Sequence, residues 1–173
     1  DCTADPSSLV AERRRILTNP DGIIGASLRS QLHNLQRMPA VAAYDEAGCA
    51  EVVSSMTSTI QVPTLRLNAQ ALPPPFQRSD WDALLEKLPT DVESDWRATT
   101  EARRAAAAQT PDTTFPEWSL FLINLMHEAG VPVGAGTDTP IAFAAPGYSL
   151  HSELEMLVLA GLSPLEALEA ATV

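Results

Sequence analysis

The chain has 173 residues, 45% hydrophobic and 19% charged, with a formal net charge of −11. This length and balance suit one domain with a real core. So acidic a surface repels nucleic-acid phosphates and anionic membranes, and no run of about 18 apolar residues exists to span a bilayer, so neither partner is expected. A small-molecule substrate stays open, because the charge of a cleft can oppose the global charge.

In chain order, Leu9, Val10, Ile16 and Leu17 give a partial apolar stripe that predicts a short helix over residues 7–17. Asn19-Pro20-Asp21-Gly22 ends it as a turn. Residues 23–43 read as a second helical stretch and 45–57 as a third. The run IQVPTL at 60–65 reads as a strand, in which Pro63 must sit where no ladder bond is needed. Residues 68–90, with Pro73, Pro74, Pro75 and Pro89, read as an excursion rather than a core element. Thr90-Asp91-Val92-Glu93 has the spacing of a capping box and opens a helix to about Gln109. Cys2 and Cys49 form no CxxC-type pair; they read as reduced and structural, with a disulfide left open.

The next unit has the clearest pattern. Pro116 suits a first helical turn, and Trp118, Phe121, Leu122, Leu125, Met126 and Ala129 recur on one face. Gly130 stands where a helix end needs positive φ. Residues 131–137 are apolar or small on both faces, as a buried parallel strand must be, and their glycines leave room for close approach. Ser149 can cap a further helix with Leu150, Leu154, Leu157 and Val158 on its inner face, stopped at Gly161. Ser163-Pro164-Leu165-Glu166 is a capping box with proline at the first helical position. Helix–strand–helix alternation with short links predicts an α/β fold with parallel strands.

Asp138 falls where the 131–137 run ends. A carboxylate at a strand's C-terminal end can bind a divalent metal and take a proton from metal-bound water. Equally, Asp138 can cap the turn through Thr139-Pro140 by accepting local backbone N–H groups.

Three segments, GVPVGAGTDTP (130–140), GYSLHSELE (147–155) and AGLSPLEALEAAT (160–172), together resemble the amidohydrolase superfamily, closest to its imidazolonepropionase-like and Xaa-Pro-dipeptidase-like branch. The resemblance implies a (β/α)8 barrel, of which this chain would hold the last two strands with their helices: residues 1–173 would be the C-terminal part of the catalytic domain, truncated at both ends. It also implies one or two divalent metals, commonly zinc, with Asp138 as metal ligand and general base. The implied reaction is hydrolysis of a C–N bond in a small amide, linear or cyclic, by metal-activated water. Thr64, Tyr148 and His151 are candidate substrate contacts, although His151 could instead be a helix-start histidine bonding its loop.

No His-x-His pair occurs in the chain. His33 reads as surface, and His127 as a helix-end histidine in a favourable dipole contact. A complete barrel of this type takes about 250 residues. The chain alone is therefore expected to be inactive and to expose an apolar face. The competing expectation is a non-catalytic helical α/β module that associates through leucine-rich faces, with oligomerisation open in either case.

Overall fold

The computed structural model describes residues 2–3, 6–19, 21–36, 40–106, 111–141 and 143–172. The described helices are α1 (Pro6–Thr18), α2 (Gly25–Gln36), α3 (Glu46–Ser54), α4 (Leu65–Asn68), α5 (Trp81–Leu85), α6 (Thr90–Ala106), α7 (Thr114–Glu128), α8 (Tyr148–Leu159) and α9 (Pro164–Glu169). Short 3₁₀ turns lie at Val41–Ala43 and Pro75–Gln77. No helix among the described residues is long and apolar enough to cross a membrane.

The expected α/β architecture, a partial (β/α)8 barrel, is not what the chain forms. Among the described residues the fold is helical and contains no strand. The two runs expected as strands do meet in parallel, but only once. The Gln61 N–H donates to Pro132 O (2.8 Å) and the Gly134 N–H to Gln61 O (2.9 Å). The backbone itself ends the ladder. Pro63 has no N–H to give, Thr64 turns to φ +50°, and α4 begins at Leu65. On the other run, the Ala135 N–H is taken by Ala170 O (2.7 Å), at the end of the chain's last helix. Gly136 nonetheless does what a glycine in such a run is for: a Cβ there would collide with Val62 Cγ1.

Three apolar clusters hold the helices. The first joins α4, α7, α8 and α9 through Leu65, Ile123, Met156, Leu157, Leu162 and Ala167. Its α8 face is Ser149, Glu153, Met156, Leu157 and Ala160, spaced as one side of a helix; Leu157 was expected there, whereas Val158 is turned outward. The second cluster lies in the proline-rich stretch expected to be an excursion. Phe76, Trp81, Leu84 and Leu85 pack with Trp96, Phe143 and Ala145, and the Trp81 indole N–H donates to Thr100 Oγ1 (3.1 Å). The third surrounds Cys49, Val53 and Val131. There Cys49 is bonded to Cys2 as a disulfide, correcting the reduced reading and tying the first residues to α3.

Termini follow the sequence signals closely. Gly130 (φ +77°) ends α7, and Ser163 and Glu166 form the expected capping box on α9. At Thr90 the box does not form: Thr90 is already helical, and Glu93 pairs with Arg97. The expected continuation of α6 to Gln109 lies outside the described residues. Leu159, Leu165 and Leu168 are exposed on α8 and α9.

Candidate active site

Asp138 stands directly after the extended run that touches Gln61, at φ +50°. The left-handed region is uncommon for a non-glycine residue and costs on the order of 1–3 kcal/mol, so neighbouring structure must impose it. Locally there is little to do so: the Ile141 N–H donates to Asp138 O at 3.2 Å, and the Thr137 and Thr139 hydroxyls bond one another at 2.7 Å.

Arg66 on α4 reaches this segment. Its residue is 4% exposed, with Nε donating to Thr137 O (2.7 Å) and Nη2 to Ile141 O (2.8 Å). Those two carbonyls bracket Asp138. Arg66 is seated in turn by Glu153, which is fully buried on α8. Glu153 Oε1 accepts the Leu65 N–H at 3.0 Å and Oε2 the Arg66 N–H at 2.6 Å. Burial raises the Glu153 carboxyl above its ordinary value, opposed by the N–H groups of Arg66 and Leu65 and by the Arg66 charge. Burial also lowers the Arg66 guanidinium, opposed by the charges of Glu153 and Asp138; an arginine stays charged through such a shift.

The Asp138 side chain itself is exposed and accepts no hydrogen bond from a described residue. The turn-capping alternative therefore does not describe it. Instead it lines a cavity of about 660 Å³, with Arg29, Ser30, His33 and Asn34 of α2, Asn68 of α4, Gln70, Asp112 and Phe115. His33, expected at the surface, is half-buried on this wall, its ring 6.3 Å from that of Phe115. Asp112 accepts the Thr114 N–H (2.9 Å), which holds its carboxyl below the ordinary range.

The other candidate contacts are elsewhere. Thr64 is not on the cavity wall; its carbonyl accepts the Leu67 and Asn68 N–H groups as α4 starts. The Tyr148 hydroxyl donates to Asp80 Oδ1 (2.7 Å) and accepts from Arg78 Nε (3.0 Å), while Arg78 also pairs with Glu155. This network lowers the Asp80 carboxyl, first through the Tyr148 bond, and raises the Arg78 guanidinium, first through Glu155. His151 is exposed on α8 and does not line the cavity. His127 is 3.6 Å from Glu166 Oε1, consistent with a structural contact.

Among the described residues no three His, Cys, Asp or Glu side chains group closely enough to hold a metal ion. Asp138 can offer one oxygen ligand, but the residues present do not by themselves fit the zinc centre that the resemblance implies. No protein-family model, no curated protein and no solved structure matches the chain.

Proposed function

We propose that Asp138 is the general base of a hydrolase that cleaves C–N bonds in small amides, linear or cyclic. The supporting observation is the state of its carboxylate: without a bond from the described backbone, on the wall of a cavity, with the backbone on both sides held by a buried arginine. A rigidly placed carboxylate open to a cavity can take a proton from a water molecule as that water adds to the amide carbon. It then returns the proton to the nitrogen as the C–N bond breaks and the amine leaves. Asn34, Asn68 and Gln70 give the cavity an amide-rich wall, with Arg29 beside the carboxylates of Asp112 and Asp138, suited to a polar substrate.

The test is Asp138→Asn in this protein, assayed on dipeptides and cyclic amides with and without added zinc. Loss of a positioned general base lowers turnover by roughly 10²–10⁴-fold, with circular dichroism unchanged. Turnover within a factor of about two of wild type, or no amide hydrolysis by the wild-type protein, would overturn the reading.

A further inference from the structure

We infer that Arg66, seated on the buried Glu153 carboxylate, is the positioning residue that fixes the direction in which Asp138 points. The inference rests on Asp138 being the base, and it deepens that reading by naming what holds the base in place.

Two arms of the geometry meet at Arg66. Its backbone N–H is gripped by Glu153, so the start of α4 cannot shift without moving a fully buried carboxylate on α8. Its guanidinium spans from Thr137 O to Ile141 O, four residues apart and on either side of Asp138. A planar fork with donors at Nε and Nη2 can hold two carbonyls at once in fixed relative positions; an ammonium is a point donor on a flexible stem. Among the described residues, the 137–141 segment has one internal backbone bond and one hydroxyl pair, and the fork adds two bonds that bracket Asp138 and hold it at φ +50°. Charge adds to geometry, because the guanidinium and the Asp138 carboxylate attract one another at a distance.

An arginine serving only to satisfy buried carbonyls would predict a different outcome. Removing it would lower stability and leave the Asp138 geometry and catalytic step unaltered in whatever protein still folds.

The experiment compares the wild-type protein with its Arg66→Gln, Arg66→Lys and Glu153→Gln variants. Crystal structures read the φ of Asp138, and steady-state kinetics separate kcat from KM. Both Arg66 variants are expected to lose the positive φ and to drop kcat by about 10²-fold, as displacement of a reacting group by an ångström does, with KM changed less than kcat. Failure of Arg66→Lys to rescue marks the fork, rather than the charge, as the active feature. Glu153→Gln keeps the side-chain volume but places an amide NH₂ against one backbone N–H; it is expected to give a milder loss of the same kind, and it decides the matter if the Arg66 variants do not fold. Retention of φ near +50° with wild-type kcat in a folded Arg66 or Glu153 variant would overturn the inference. If the wild-type protein hydrolyses no amide, the hydrolase reading fails, while the φ of Asp138 in the variants still decides whether Arg66 positions it.

Discussion

Breaking the Cys2–Cys49 disulfide should cost this chain a large part of its stability. The bridge joins positions 47 residues apart. Closing a loop of that length removes roughly 14 cal/mol/K from the entropy of the unfolded chain, or about 4 kcal/mol at 25 °C. A domain of this size has about 5–15 kcal/mol in total. Cys49 is fully buried beside Val53 and Val131, so serine there would add an unpaired hydroxyl; the double variant Cys2→Ala/Cys49→Ala avoids this. Urea denaturation followed by circular dichroism should show the variant's midpoint well below that of the oxidised wild type, and alkylation with mass spectrometry should find no free thiol in protein purified without reductant. A loss under about 1 kcal/mol, or two reactive thiols in the untreated protein, would refute the reasoning.

Gly136→Ala should be costly out of proportion to one methyl group. The new Cβ would strike Val62 Cγ1, and a β-branched valine has few rotamers to yield into; a loss of about 1–3 kcal/mol is expected in thermal melts, and a neutral result would show that the two extended runs are not in contact. Ser163→Ala should cost about 1 kcal/mol by removing the α9 cap. The same box gives a pH dependence: bonds from the Ser163 hydroxyl and N–H hold the Glu166 carboxyl below its ordinary value of 4.5. Its stabilisation is present above the unfolded value and is lost as pH falls through the lowered folded one; in Ser163→Ala the acid limb of stability against pH, measured by urea titration, should be correspondingly shallower.

Helix termini and glycine positions could be read from the residues, because capping and positive φ are local requirements: Ser163, Glu166, Gly130 and Gly161 all sit as their types demand. The strands could not. The apolar run at 131–137 has strand composition, but a strand exists only with a partner ladder, and Pro63 and Thr64 end that ladder after one residue pair. The core at Phe76, Trp81, Leu84 and Leu85 was hidden by the prolines around it, which signal turns whether or not the residues between them are buried. At the site, Asp138 stood out in the sequence while its supports did not. Glu153 reads as a polar residue between leucines, yet its spacing from Ser149 and Leu157 puts it on the buried side of α8. Arg66 reads as surface charge, since nothing local shows that two distant carbonyls converge on it. His33 reaches the cavity only because residues of α2, α4 and the start of α7 border the same space, a long-range placement that no helical period encodes.

The aromatic packing gives the molecule built-in optical probes. Trp81 and Trp96 lie nearly parallel, 6.1 Å apart, with Phe143 edge-on to both, while Trp118 sits by itself on α7 near Phe121. With three indoles in the whole chain, the coupled pair should report melting of the α5–α6 region in near-ultraviolet dichroism. The solitary one reports the α7 side in fluorescence once the other two are replaced by phenylalanine. Whether the two regions come apart together or in sequence can thus be watched without attaching any label.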